Sequence, residues 1–339
     1  MLLTLSQVLH ISPSEVLERL ELARGESIDA SGMSYEELDR QASQSFWSGD
    51  PRRAVACYDS MLSRLEEDPP PDAEELLHRT ATTELRRGAA LRRCGASVAA
   101  RGGIERAITL SDGIPEIQVQ AYLVLTALLV QLGRLPLARD ASERALQLAD
   151  DLTDVKLQGW AWIEKGEVLA AFGKHAEARD AFLAARKCIK QVGDFHHAIK
   201  IEGNIGHCLH ELGRFDQARR RYLNAIALSR RHKVPAAEAL WLVELGRLAL
   251  HERQPADADA SALAALRIAK SLDDLLCCFR AEWLRHLVHH ERRPGESDRH
   301  RMAYLKKLYV QLEEHRGIEE IQQFKRACHA SPAPRRGKS

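Results

Sequence analysis

Apolar residues recur along this chain at helical spacing, three and four apart. No segment alternates apolar and polar with the period of two that a half-buried strand needs. The pattern predicts helix, turn, helix from about residue 35 to 315. Breaks fall where the chemistry forbids helix. Residues 66–73, EEDPPPDA, hold three prolines in succession and read as a linker; residues 111–116, SDGIPE, read as a second break. Residues 279–315 keep the helical spacing, and 316–329 reads as a capping helix at the C-terminal end. The last ten residues, ASPAPRRGKS, read as a disordered tail.

A ladder of small residues is laid over this pattern. Gly133, Ala138 and Ala145 form one set; Gly173, Ala178 and Ala185 repeat it 40 residues on, and Gly213, Ala218 and Ala225 repeat it again. In a fourth set Arg253 replaces the glycine, while Ala258 and Ala265 hold register. Seven residues before each turn stands another small or polar residue: Thr126, Gly166, Gly206 and Gly246. Weaker versions extend outward, through Gly88, Gly95, Ala100 and Ala107, and through Gly49, Ala54 and Tyr58. Two antiparallel helices joined by a short turn approach closely only where one side is small. Gly166 or Gly206 is therefore expected to face Ala178 or Ala218. The turn glycine should take the left-handed conformation that ends a helix. Trp162, Leu169 and Phe182, or Ile205, Leu209 and Tyr222, should fill the space between.

The stretches GEVLAAFGKHAEARDAFLAARK (166–187) and GHCLHELGRFDQARRRYLNAIA (206–227) resemble the tetratricopeptide repeat. The resemblance covers about residues 35–315 and is strongest from 119 to 270. The family period is 34; the period of 40 here implies longer helices or longer turns. HEAT and armadillo arrays share a period near 40 but lack this Gly/Ala ladder. The resemblance implies an all-α fold, a right-handed α-solenoid of antiparallel helix pairs forming a superhelix. About seven pairs would occupy residues 31–315. Residues 1–30 stand apart. They hold a helix, a Ser-Pro-Ser turn and a second helix, and resemble the last helix and exit of a Cro/repressor-type helix-turn-helix domain without its DNA-reading helix. The other reading is a helical cap for the array.

Composition narrows the class. The chain has 339 residues, 45% hydrophobic and 29% charged, with a formal net charge of +1. Such balance disfavours nucleic acid or an anionic membrane as an obligate partner. The longest apolar stretch, Ala121 to Val130, is far shorter than the ~18 residues of a membrane span, and the first eleven residues lack the basic start of a secretory signal. Seven scattered cysteines read as free thiols in a reducing compartment, so the expected location is cytoplasmic. One of the adjacent Cys277 and Cys278 should be core and the other partly exposed.

Candidate chemistry is sparse. His207 and His210 are three apart on one helix, but no third ligand of suitable spacing accompanies them, so no metal is expected. The neighbours His196–His197 and His289–His290 point apart. There is no GxGxxG, GxxxxGK[ST] or GxSxG, and no marked carboxylate pair, so neither catalytic residues nor a cofactor are expected. The run Arg219–Arg220–Arg221, with acidic residues nearby in sequence, reads as a solvated outer face rather than a nucleic-acid patch.

What remains is the surface that the resemblance implies. In the family the first helix of each pair lines a concave groove. The inward positions here carry Trp160, Glu164 and Glu167; then Lys200, Asn204, His207 and His210; then Glu244, Arg247 and His251; then Arg280 and Trp283. Asn204 and Arg247 suit backbone or carboxylate contacts, and Trp160 and Trp283 are either anchors or inter-repeat packing. The Lys/Asn carboxylate clamp of chaperone-binding relatives is missing, because its positions hold Ile163 and Glu167, Gly203 and His207, and Val243 and Arg247. The implied function is a non-catalytic adaptor or scaffold that takes a peptide or protein partner in its groove, with no direct nucleic acid and no membrane. The alternative is a sensor of the peptide-responsive transcriptional-regulator type, parted from its DNA-binding domain. An uncapped end or the apolar N-terminal helix leaves a homodimer open to it.

Overall fold

The structure is a computed structural model, and it describes residues 28, 30, 32–48, 50–293, 296, 298–312 and 319–330. The expected N-terminal helix-turn-helix remnant (but for 28 and 30), the turn at Gly49 and the tail after 330 lie outside these. Among the described residues there are fifteen helices and no strand, so the fold is an all-α helical-repeat array. Two compact units divide the chain, one ending at Phe172 and the other beginning at Gly173.

The first unit holds α1 (Tyr35–Ser48), α2 (Pro51–Glu67), α3 (Ala73–Arg93), α4 (Ser97–Leu110), α5 (Pro115–Gln131), α6 (Leu135–Asp150) and α7 (Val155–Ala171). Its core runs from Leu38, Tyr58 and Met61 through Leu91 and Ile104 to Leu128. A further cluster gathers Val119, Ala145 and Ala161. The second unit holds α8 (His175–Val192), α9 (Phe195–Glu211), α10 (Phe215–Arg231), α11 (Pro235–His251), α12 (Pro255–Ser271), α13 (Leu275–Arg292), α14 (Arg299–Gln311) and α15 (Glu319–Ala330). Here α9, α11 and α13 pack on one another in succession, while α10 and α12 fill the layer outside them.

Local chemistry starts and stops these helices on the same beat as the ladder. Asp154, Asp194 and Asp274 cap α7, α9 and α13 by accepting backbone N–H bonds. At the corresponding place before α11 the chain uses Pro235 in the first turn instead. The four pairs in the ladder turn at left-handed residues. Gly133, Gly173 and Gly213 have φ of 69°, 75° and 71°, and Arg253 adopts the same region at 57°. Around Gly213, the N–H of Arg214 donates to the Leu209 carbonyl at 2.8 Å, closing the helix end. A second left-handed series, Gly193, Lys233 and Asp273, turns between one pair and the next with the same 40-residue step.

The eight ladder alanines, from Ala138 to Ala265, are fully buried, as expected. The partner of Gly206 is larger than expected. A Cβ on Gly206 would lie 2.9 Å from the Tyr222 ring and 3.2 Å from Arg221 Cβ, one turn beyond Ala218. Gly206 is small because Tyr222, itself fully buried, occupies the space. Cys277 and Cys278 are both buried, against the expectation that one would be partly exposed, because α13 has α11, α12 and α14 packed around it.

Candidate functional site

The three successive first helices of the second unit set the candidate surface. On α9, Lys200, Asn204, His207 and Glu211 are spaced as one face of a helix. On α11 the same register carries Leu240, Glu244, Arg247 and His251. On α13 it opens with Arg280. Because α9 packs on α11 and α11 on α13, these rows lie side by side.

Polar contacts tie the first two rows together. His210 Nε2 and His251 Nδ1 lie 3.0 Å apart, one donating to the other across the α9–α11 seam. Phe215 meets both imidazoles edge-on, with centroids 5.9 and 4.9 Å away. His207 faces His175 of α8 at 6.0 Å. Burial holds the His210 imidazole below its ordinary range, and His251 and His207 push the same way, while Glu211 and Glu244 oppose them. Burial thus disfavours the charged form of His210. Arg247 reaches Glu244 at 3.5 Å on its own helix. Among the described residues no three His, Cys, Asp or Glu side chains converge as a metal ion would require.

Not every expected residue faces outward. Trp283 is buried, stacked on His286 at 5.2 Å and meeting Phe324 of α15 edge-on at 5.8 Å. Its N–H donates to Gln323 at 3.4 Å. The ring packs the end of the unit, the second of the two roles the sequence allowed it. Glu244 and His210 are also buried, whereas Lys200, Asn204, His207, Arg247 and Arg280 are half-buried and His251 is exposed. In the first unit, Trp160, Glu164 and Glu167 share one half-buried face of α7, and the Lys156 ammonium sits 4.7 Å from the Trp160 ring centre.

Two features behind this surface escaped the sequence reading. Gly203 is the seat of Trp241: a Cβ there would lie 2.2 Å from the indole. The signal was available, since Gly203 stands where Ile163, Val243 and Trp283 stand in the other units. Glu202 is buried and held by Arg221 of α10 at 2.8 Å and Arg186 of α8 at 3.3 Å. Burial alone would raise its carboxyl, but the bonds from Arg221, Asn224 and Arg186 outweigh it and hold the group below the usual carboxylate range. The thiol of Cys208 on the same helix is pushed up to about 12 by burial and is inert as a nucleophile.

A tetratricopeptide-repeat family model matches residues 157–231. No curated protein matches the sequence. Among solved structures, the Rap conjugation gene regulator of plasmid pLS20, solved in complex with a peptide, has a TM-score of 0.66 at 14% identity, over 94% of this chain and 86% of that one. NprR in complex with its cognate peptide NprX gives 0.62 at 13% identity, over 88% and 84%. A Rap protein complexed with competence and sporulation factor gives 0.57 at 12%, over 87% and 97%. At these identities the likeness is one of fold. Residues 157–231 are tetratricopeptide repeats, and the helix pairs before and after them share that build.

Proposed function

We propose that the chain is a non-catalytic binding protein that takes a peptide, or an extended segment of a partner protein, on the α9–α11–α13 face. The observation that carries this reading is the pair of adjoining rows, Lys200, Asn204 and His207 beside Glu244, Arg247 and His251. They offer amide, cationic and acidic groups at one helix spacing, which suits main-chain amides and side chains of either charge. Arg280 on α13 would extend the same use, and within the first unit Trp160, Glu164 and Glu167 on α7 would form a contact face of their own. The helical array over 31–315 would serve as the binding body, with 316–329 as its end cap. The seven scattered cysteines suit a reducing, cytoplasmic setting.

Between adaptor and regulator, one observation favours the regulator. The structures of similar fold include a conjugation gene regulator and NprR, each solved with a peptide. In this reading peptide binding shifts a conformational equilibrium of the array and so alters a partner's activity. The test is capture with the wild-type chain beside an Asn204→Ala/Arg247→Ala double variant, with bound material identified by mass spectrometry. Loss of a peptide or protein from the folded variant is expected; equal recovery by both chains would move binding off this face. A specific gel shift of DNA by the chain alone would remove the claim that it contacts no nucleic acid.

A further inference from the structure

A cleft of about 630 Å³ opens between α8 and α10, over α9. At about 100° per residue, its floor residues Ile205 and Leu209 face away from Lys200, Asn204 and His207, so the cleft lies outside the surface just proposed. Leu183 of α8 completes an apolar floor. Arg179 of α8 and Arg220 and Arg221 of α10 rim it, and Gln217 and Asn224 stand at the two ends of the α10 wall. On α10 these four are one stripe, spaced 217, 220, 221 and 224. At about 1.5 Å rise per residue the stripe is roughly 10 Å long, which matches about three residues of extended chain at about 3.3 Å each.

The charge of the cleft is unbalanced. Glu202 beneath it neutralises part of Arg221 and Arg186, and Arg179 leans on its exposed neighbour Asp180 at 2.8 Å. Arg220 pairs with no carboxylate among the described residues, although Arg219 reaches Glu252 and Arg221 reaches Glu202. The repeat itself does not call for these groups. In register, the four α10 residues correspond to Glu177, Asp180, Ala181 and Ala184 one unit earlier, and to Asp257, Ala260, Ser261 and Ala264 one unit later. Helix pairs of the same build therefore form with acidic or small residues at every one of these positions.

We propose that this cleft is a second binding site, and that its ligand is a short acidic peptide segment carrying an aliphatic side chain between its carboxylates. The arginines take the carboxylates, and the fork of a guanidinium suits them in bidentate fashion. The floor of Leu183, Ile205 and Leu209 takes the aliphatic side chain. Asn224 donates to Glu202 and keeps its carbonyl oxygen as an acceptor, while Gln217 offers both a donor and an acceptor. Paired donors and acceptors fit a peptide main chain; a phosphate or a nucleic-acid backbone would use the arginines and leave the acceptors and the apolar floor idle.

The test uses the full chain and labelled pentapeptides with Asp or Glu at the four outer positions and Leu, Ile, Val or Met at the centre, read by fluorescence anisotropy. Saturable binding by members of this set is expected, weakened about tenfold by Arg220→Ala, abolished by Arg220→Glu, and falling as NaCl is raised. Arg220 bonds to no carboxylate among the described residues, so its variants should keep the wild-type circular dichroism and melting curve. Amide versions of the peptides, with Asn and Gln in place of Asp and Glu, should not bind. The proposal is overturned by any of three results: no saturable binding across the set, binding that Arg220→Ala leaves unchanged, or a labelled single-stranded oligonucleotide binding more tightly than every peptide. Loss of acidic-peptide binding in Asn204→Ala/Arg247→Ala with retention in Arg220→Ala would also overturn it, by assigning those peptides to the α9–α11–α13 face. Intact acidic-peptide binding in that double variant leaves the cleft standing whatever becomes of the other face.

Discussion

In the first unit the buried polar side chains described are Ser45, Thr83, Glu84, Ser111, Thr126 and Ser142; in the second they are Glu202, His210, Ser229, Glu244, Glu282 and His286. Hydroxyls dominate one set and ionisable groups the other. The hydroxyls mostly satisfy themselves within their own helix: Thr83 donates to the Arg79 carbonyl at 2.7 Å, Ser111 to Ala107 at 2.7 Å, and Thr126 to Tyr122 at 2.8 Å. Two carboxylates of the second unit depend on arginines from other helices. Glu202 uses Arg186 and Arg221, and Glu282 uses Arg301 of α14 at 3.1 Å. The same helix-pair build thus tolerates two kinds of polar interior. A hydroxyl that bonds only its own backbone is indifferent to its neighbours, to pH and to salt; Thr83, which also shares a 2.9 Å bond with the Tyr35 hydroxyl of α1, reaches a neighbour but does not titrate. A carboxylate or imidazole couples one helix to the next and makes that seam sensitive to all three. Glu84, held by Arg106 at 2.7 and 3.0 Å, is the first unit's one group of the second kind in this set.

The largest difference should come from acid. Burial, seconded by His290, pushes the His286 imidazole down to about 4. An unfolded chain binds that proton near pH 6.5. The folded state resists protonation, so its stabilising share is complete above about 6.5 and is lost as pH falls from there toward about 4. The loss attributable to His286 should be on the order of 3 kcal/mol by pH 4. Hydrogen exchange measured helix by helix should show α13 opening over this range before α5, whose buried Thr126 does not titrate. Simultaneous opening of both would remove the distinction between the units.

Next in size is Glu202→Ala. Breaking a fully buried ion pair costs about 3–5 kcal/mol, but both arginines here reach water, so about 2 kcal/mol is expected. Exchange of the α9 amides and urea unfolding both report it. The matching change in the first unit, Thr126→Val, should cost about 0–1 kcal/mol, because the Tyr122 carbonyl keeps its place in the helix. Equal costs would mean that inter-helix coupling contributes nothing in the second unit. Gly203→Ala should follow at about 1–2 kcal/mol. An alanine gains about 1 kcal/mol of helix propensity, yet its Cβ would meet the Trp241 ring at 2.2 Å, and forcing the indole aside costs more than the gain. The reciprocal variant Trp241→Leu in the Gly203→Ala background should recover part of the loss.

Fold was legible because it rests on spacing. The alanine ladder and the turn glycines fix where helices approach and where they reverse, and each does so with one residue type whose physical role is unambiguous. The site was only partly legible. Spacing placed Lys200, Asn204 and His207 on one face of α9, and the family resemblance added Trp283 to the inward positions. It could not say that α15 returns to cover Trp283, since Phe324 lies some 40 residues away and outside the repeat. Nor could it pair Glu202 with Arg186 and Arg221, because the choice of partner depends on how α8 and α10 lean over α9. Arg220 looked like part of a uniform basic run; only its two neighbours have carboxylates to answer them.

The smallest expected effect concerns the turns, where one ladder turn of the second unit departs from the glycine used in the others. Gly133 and Arg253 occupy the same register position with φ of 69° and 57°. Their turns close with matching bonds, Arg134 to Leu129 at 2.9 Å and Gln254 to Ala249 at 2.8 Å. A side chain in the left-handed region costs about 1–2 kcal/mol relative to glycine in the folded state, and glycine returns part of that through the greater freedom of the unfolded chain. Arg253→Gly should therefore stabilise the second unit by about 0.5–1 kcal/mol, and Gly133→Ala should destabilise the first by a similar amount. A raised urea midpoint for the first variant and a lowered one for the second would show that the turn conformation, and not the residue that fills it, is what the 40-residue beat demands. If Arg253→Gly were destabilising, the arginine side chain itself would be holding the α11–α12 turn, and the departure from glycine there would be an interaction that the other turns lack.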